Sequence, residues 1–422
     1  MNKIVAMFPG QASQYVGMGR YWFNQYEIVR QRMREASEII GFDLSDLCFN
    51  GPAKELRQTE NTQVALLTVG VAIFEALKEN EGIIPSYIAG HSIGELSALT
   101  ASGVFSFVDG VKLARIRGKA MASCDTGTSS GMYAVTKIKS SLVEALINEM
   151  DPKGEGVQVA NYNSPTQTVL SGTIESLKVV GKQLSALGAS VIPLNVSGPF
   201  HSRFMGSAAE SLEDALELIE IGTMDIPVIC GHEGRFYTEQ DDIKQALVAQ
   251  LTAPVRWTTV LSQLDKESVD HWLEIGPGTV LKNLTHQMLP GVEIASLDEV
   301  DNYEKQLKLL DILREEKDRP NLIGLCLGAA VSTRNTNWDN SSYEQGVVKP
   351  YKQIQGIYEK VDAEKRLPEK EEMSLALSLL KEIFVTKGTS NQEQKQRIQH
   401  IIKSTGTESI FPEYISVEGE ES

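Results

Sequence analysis

Ser86-Tyr87-Ile88-Ala89-Gly90-His91-Ser92-Ile93-Gly94-Glu95-Leu96-Ser97-Ala98-Leu99 is the stretch whose reading decides the fold. A short apolar run meets a Gly-flanked polar pair and then a longer apolar stretch of helix formers. That order predicts a strand, a sharp turn and a helix. Gly90-His91-Ser92-Ile93-Gly94 is therefore a G-x-S-x-G nucleophile elbow. Glycines on both sides admit a turn that side chains would block. The serine oxygen then projects from the sheet edge, facing the free N–H groups that open the helix. Those amides and the positive end of the helix can hold a developing oxyanion. The motif is short enough to occur by chance, so the strand and helix around it carry the inference.

Composition sets the outer limits. The chain has 422 residues, 41% hydrophobic and 23% charged, which predicts a globular protein of two or three structural units. A net charge of −16 argues against nucleic acid and anionic membranes as partners. Cys48, Cys124, Cys230 and Cys326 form no C-x-x-C pair, so neither a zinc site nor a disulfide framework is expected. The start has too short an apolar run for a signal peptide, and the Val64–Phe74 stretch is too short to span a bilayer. The expected location is the cytoplasm.

Working outward, short strands at Lys3–Phe8, Tyr87–Ala89, Ile226–Cys230 and His271–Glu274 alternate with helices at Tyr21–Ile40, Gln63–Glu79 and Val108–Ser123. This alternation predicts an α/β body with a mostly parallel sheet, built from residues 1–125 and 196–318. Residues 126–195 have a different rhythm. Strands at Met132–Ile138, Val157–Asn163, Thr168–Ser171 and Val191–Asn195 enclose helices at Ser140–Met150 and Ile174–Leu187. That β-α-β-β-α-β order predicts an inserted ferredoxin-like subdomain. Residues 319–422 read as a helical extension, with helices near Tyr351–Asp362, Glu369–Lys387 and Gln392–Ser404 and with Pro350 and Pro368 as breakers. An acidic tail, Glu418-Gly419-Glu420-Glu421-Ser422, is expected to fray.

A serine nucleophile needs a base, and there are six histidines. His91 abuts the nucleophile, where a base role is geometrically awkward. His271 opens an apolar strand, and His232, His286 and His400 lie in polar surroundings without a motif. His201, in Gly198-Pro199-Phe200-His201-Ser202, remains, although a turn histidine held by backbone fits the same residues. Arg117 falls on the helix after the elbow helix, where a snorkelling arginine is the ordinary alternative. Gly10, Gly17 and Gly19 fit no nucleotide-binding spacing.

Eight segments together resemble the malonyl-CoA:acyl-carrier-protein transacylases over about residues 3–300. They are Phe8-Pro9-Gly10-Gln11-Ala12-Ser13-Gln14, Asn61-Thr62-Gln63, Gly90-His91-Ser92-Ile93-Gly94-Glu95, Arg115-Ile116-Arg117-Gly118, Asn161-Tyr162-Asn163-Ser164-Pro165, Pro199-Phe200-His201-Ser202, Gln250-Leu251-Thr252-Ala253-Pro254-Val255-Arg256-Trp257 and Glu274-Ile275-Gly276-Pro277-Gly278. The resemblance implies an α/β-hydrolase-like body, Ser92 as nucleophile and His201 as base. It implies backbone N–H groups of Gln11 and Ile93 as the oxyanion hole, and the Gln250 carbonyl orienting the imidazole in place of an acid. Arg117 would hold the malonyl carboxylate, with Gln63, His91 and Phe200 lining the pocket. Phe200 would fill the space that an α-methyl branch needs. No resident cofactor is implied; malonyl-CoA is the substrate and an acyl carrier protein, or a carrier domain of a megasynthase, the partner.

Three departures from the family pattern stand out: Ala12 for a glycine, Val64 for a proline, and Cys230-Gly231-His232 for a Ser-Asn-Val type of segment. The helical extension resembles stand-alone transacylases that serve polyketide or hybrid lipopeptide synthases in trans, against the shorter enzymes of fatty-acid synthesis. Two rival readings use the same residues. An acyl hydrolase would employ the same dyad with water as acceptor, though Arg117 counts against it. A non-catalytic carrier-binding module would have no need of Ser92 and His201.

Overall fold

The computed structural model describes residues 3–124, 129–238, 241–299, 308–311, 313, 321–364, 366, 368–408 and 410–415. The chain divides into two compact units, residues 2–310 and 311–422. The expected boundaries near residues 126 and 319, and the acidic tail, lie outside the described residues.

In chain order the strands are β1 Ile4–Phe8, β2 Tyr87–Gly90, β3 Ser130–Thr136, β4 Val157–Ser164, β5 Gln167–Thr173, β6 Ser190–Pro193, β7 His271–Pro277 and β8 Glu293–Asp298. Four of them form a parallel sheet in the order β2-β1-β7-β8. Helices cover it, so β7 is buried along its whole length. The Thr59–Glu79 helix is buried almost all round, packed against β7 and against the Ile93–Ala101 and Phe107–Ser123 helices. Gly70 allows that approach, because a Cβ there would lie 3.0 Å from the Phe8 ring.

The second sheet is antiparallel, in the order β4-β5-β3-β6. The Ser140–Met150 and Ile174–Ala186 helices lay Val143, Ile147, Leu177, Val180 and Leu184 on one core with Val135, Val157 and Leu170. Strand and helix order together make the expected ferredoxin-like arrangement. Residues Ala160 and Tyr162 exchange backbone hydrogen bonds with Val255, tying β4 to the main body.

Several elements differ from expectation. The helix expected at Tyr21–Ile40 breaks into Arg20–Gln25 and Glu27–Ile40, because Tyr26 is extended (φ −119°, ψ 129°). Tyr26 stacks on Trp22 at 5.3 Å and donates its hydroxyl to Glu81, while Trp22 Nε1 donates to the Leu297 carbonyl. Ile226–Cys230 does not form a strand; Val228 only bridges Ile88, and Ile229 bridges Phe236. Pro227 has no N–H for a ladder, though its carbonyl accepts from Ile88. Strand β8, with polar residues at Glu293, Ser296 and Asp298, lay outside the expected set.

Residues 311–422 form a helical unit with its own core of Ile323, Cys326, Ile354, Leu380, Ile383, Phe384 and Ile402. The helices Lys349–Ala363, Lys370–Thr386 and Asn391–Thr405 fall where the sequence places them. Pro350 does not break the chain's helical course: a π-turn at Glu344–Val348 runs directly into this helix, with Val348 and Lys349 both helical. The Leu322–Ser332 helix was not expected; its glycines and unbroken apolar run conceal the helical period. Lys387, only 5% exposed, donates to the Ala330 and Thr333 carbonyls at that helix end. Among the described residues no helix is long and apolar enough to cross a membrane.

Candidate active site

Strand β2 ends at Gly90 and the next helix begins at Ile93, so the turn is two residues long. A Cβ on Gly90 would fall on the Gly94 backbone, and a Cβ on Gly94 on the Phe8 carbonyl. Only glycines permit this crossing. The turn leaves Ser92 at φ 56° and ψ −113°, an uncommon backbone conformation held by its surroundings. Ile93 opens the helix, so its N–H has no acceptor one turn back.

Ser92 Oγ lies 2.7 Å from His201 Nε2. His201 Nδ1 lies 2.9 Å from the Gln250 carbonyl oxygen, which fixes the tautomer with a proton on Nδ1 and a free lone pair at Nε2. His201 is itself at φ 55° and 4% exposed. Burial, and next the positive charge of Arg117, push its pKa down to about 3. Only the neutral ring accepts the serine proton, so acylation should fail as pH falls through that low value and not through 6.5. In the free enzyme kcat/KM should therefore stay level from pH 8 to pH 5, where an unshifted imidazole would lose about 30-fold. A pH–rate profile with an acid limb centred near 6.5 would contradict this environment.

Arg117 is 2% exposed, on the Phe107–Ser123 helix. Burial lowers its pKa to about 10, which leaves it a cation at neutral pH. Its Nη1 donates to Gln63 Oε1 at 2.9 Å, and its Nη2 to Gln250 Oε1 at 2.8 Å and Ser92 Oγ at 3.3 Å. Gln63 Nε2 is occupied by Met121 Sδ at 3.4 Å, so its oxygen faces the guanidinium. Ser92, His201, Arg117, Gln250 and Gln63 thus form one hydrogen-bonded group.

The remaining expected residues surround it. His91 Nε2 lies 3.0 Å from Asn163 Oδ1, and its ring packs edge-on against Trp257. His91 therefore links the elbow to β4 and takes no part in the Ser92–His201 contact. Gly10 touches His91 so closely that a Cβ would lie 2.8 Å from its carbonyl, which sets the Gln11 loop against the elbow. Gln11 Nε2 donates to Thr59 Oγ1 at 3.2 Å, and Thr59 Oγ1 meets Ser197 Oγ at 2.8 Å. Phe200 is buried, its carbonyl accepting from Ser171 Oγ.

Ala12, where the family pattern has glycine, lies at φ 89°, a region that disfavours any Cβ. Ala12→Gly should therefore raise stability by about 1 kcal/mol, read as a higher denaturant midpoint. A lower midpoint would contradict the strain.

Sequence reasoning missed Glu95, fully buried one turn past Ser92, as well as Tyr237, Asn163 and the Thr59–Ser197 pair. A signal for Glu95 was present: it is the one charge in Ile93-Gly94-Glu95-Leu96-Ser97-Ala98-Leu99-Thr100-Ala101. No cluster of three metal-ligating side chains occurs among the described residues.

A serine–imidazole pair on a strand–turn–helix of a parallel sheet has the geometry of acyl transfer. Residues 5–326 match the family model described as an acyl transferase domain, and the chain is an acyltransferase. The malonyl CoA-acyl carrier protein transacylase of Bacillus subtilis strain 168 is 38% identical over 319 residues, 75% of this chain and 99% of that protein. A Bacillus subtilis protein of the same name is 31% identical over 401 residues, 93% of this chain and 99% of its own length. A solved structure of a malonyl-transacylase with its type II PKS acyl-carrier protein aligns with a TM-score of 0.69 at 35% identity, over 73% of this chain and 99% of that one. The chain belongs to the malonyl-CoA:acyl-carrier-protein transacylase family.

Proposed function

We propose that the protein moves a malonyl group from malonyl-CoA to the phosphopantetheine thiol of an acyl carrier protein, in trans, for a polyketide or hybrid lipopeptide synthase. The observation that carries the chemistry is a serine oxygen 2.7 Å from a neutral imidazole and 3.3 Å from a buried guanidinium. His201 Nε2 takes the Ser92 proton as Oγ bonds to the thioester carbonyl carbon. The resulting oxyanion is held by the Ile93 and Gln11 N–H groups. The C–S bond then breaks, coenzyme A leaves as its thiol with the proton from His201, and a malonyl ester remains on Ser92. In the second half the carrier thiol gives its proton to His201, attacks the ester, and Ser92 recovers the proton as it leaves. The Gln250 carbonyl holds the ring in one tautomer throughout but adds no negative charge.

Arg117 faces the same oxygen that carries the acyl group, within reach of a carboxylate two carbons further on. A planar guanidinium binds a carboxylate by two parallel hydrogen bonds, and a substrate without one leaves the cation unpaired. A buried Phe200 next to His201 is consistent with an unbranched α-carbon.

The polyketide side of the pathway reading is supported by the likeness, at 35% identity, to the malonyl-transacylase solved with its type II PKS acyl-carrier protein. The intact protein should be charged with malonyl-CoA and offered a panel of carriers. Faster transfer to carrier domains of a polyketide or lipopeptide synthase than to a fatty-acid carrier supports the trans role. The reverse order assigns the protein to fatty-acid synthesis, and rapid release of free malonate makes it a hydrolase.

A further inference from the structure

Glu95 is completely buried, and its carboxylate hydrogen-bonds to the Tyr237 and Gln250 side chains and to neither Ser92 Oγ nor His201. Tyr237 Oη donates to its Oε1 at 2.7 Å, Gln250 Nε2 donates to its Oε2, and the Gly231 N–H also points to it. Gly231 makes the room, since a Cβ there would lie 2.8 Å from Glu95 Oε2. This is one of the places where the chain departs from the family pattern.

The Gln250 amide is thereby polarised in one sense. Its nitrogen is taken by Glu95 and, at 3.2 Å, by the Ser92 carbonyl. Its oxygen must then face Arg117 Nη2, as it does at 2.8 Å. A flipped amide would set N–H against a guanidinium, which has donors only. The same residue's main-chain carbonyl orients His201. One amide thus separates a buried cation from the Glu95 carboxyl, whose negative form favours the Arg117 cation. Burial pushes the Glu95 pKa up, and the donors from Tyr237, Gln250 and Gly231 oppose that by holding the charged form. An uncompensated buried cation is costly, so this counter-charge matters before substrate arrives.

We propose that Glu95 is a positioning residue for substrate selection: through Gln250 it aims Arg117 at the malonyl carboxylate. The inference rests on the proposed carboxylate-binding role of Arg117. Glu95→Gln keeps the volume, removes the charge and turns one arm into a donor. Single-turnover acylation with malonyl-CoA and acetyl-CoA gives kcat/KM for each. The malonyl-over-acetyl ratio should fall at least about tenfold, mainly through a raised malonyl-CoA KM, and Glu95→Asp should recover part of it. An unchanged ratio, or equal loss with both thioesters, overturns the proposal.

Tyr237→Phe removes one donor to Glu95 without touching the charge, and serves if Glu95→Gln does not fold. It should lower the ratio by about twofold or more; a constant ratio counts against the proposal. Arg117→Ala in the same assay separates the two levels. A ratio that falls in Arg117→Ala but holds in the Glu95 and Tyr237 variants overturns only the Glu95 role. A ratio unmoved by Arg117→Ala overturns both.

Discussion

Arg117→Ala should lose malonyl transfer by about 10³-fold while acetyl transfer persists or rises. The guanidinium is buried and held from behind by the oxygens of Gln63 and Gln250, so binding a carboxylate requires little reorganisation. Its removal takes away the hydrogen bonds to malonate, and also the penalty that an acetyl group incurs by leaving a buried cation bare. A second consequence follows at His201, whose pKa is lowered next after burial by Arg117. With that cation gone the imidazole becomes easier to protonate, and the acid limb of the acetyl reaction should move to higher pH. Arg117→Lys keeps a charge but loses the planar fork, so it should fall between the two. Equal losses with both thioesters would assign Arg117 a structural role only.

Gly90→Ala should destabilise the protein by about 4 kcal/mol or more, enough to prevent folding in a marginal domain. The backbone of Gly90 is ordinary; the obstacle is space. A methyl group there would meet the Gly94 carbonyl carbon and oxygen and the Glu95 nitrogen, all main-chain atoms that cannot rotate aside. Relief requires the Ile93–Ala101 helix to move off the sheet, which carries Ser92 away from His201. Urea unfolding of the variant checks this. A midpoint within experimental error of the parent would mean that the strand–helix crossing has slack the contacts do not reveal.

The elbow was readable because its physics is local: two glycines, a short apolar run before and an apolar helix after. The Thr59–Glu79 and Phe107–Ser123 helices were readable from period and length, with ends off by a few residues. What failed depends on contacts far along the chain. The break at Tyr26 follows from Trp22 reaching Leu297 and Tyr26 reaching Glu81, and the hydrophobic pattern runs through it unmarked. Ile226–Cys230 has strand composition, but Pro227 denies it a ladder. Strand β8 looks half polar because Ser296 and Asp298 are buried with polar partners, Gly278 for one and Gly19 and Tyr15 for the other. At the site, Ser92 came from the motif and elimination left His201 open between a base and a turn histidine, whereas the base role of His201 and the inward aim of Arg117 depended on family resemblance. Glu95 stood in a quoted segment without a role, since its partners Tyr237 and Gln250 lie 142 and 155 positions away.

The central claim is covalent: Ser92 carries the acyl group. Intact-mass analysis, with peptide mapping, of the protein mixed with malonyl-CoA and quenched before a carrier is added tests it directly. One malonyl group per chain, on the peptide containing Ser92 and absent from Ser92→Ala, is the predicted result. A malonyl group on any other residue, an adduct that survives in Ser92→Ala, or no adduct at all would contradict the account.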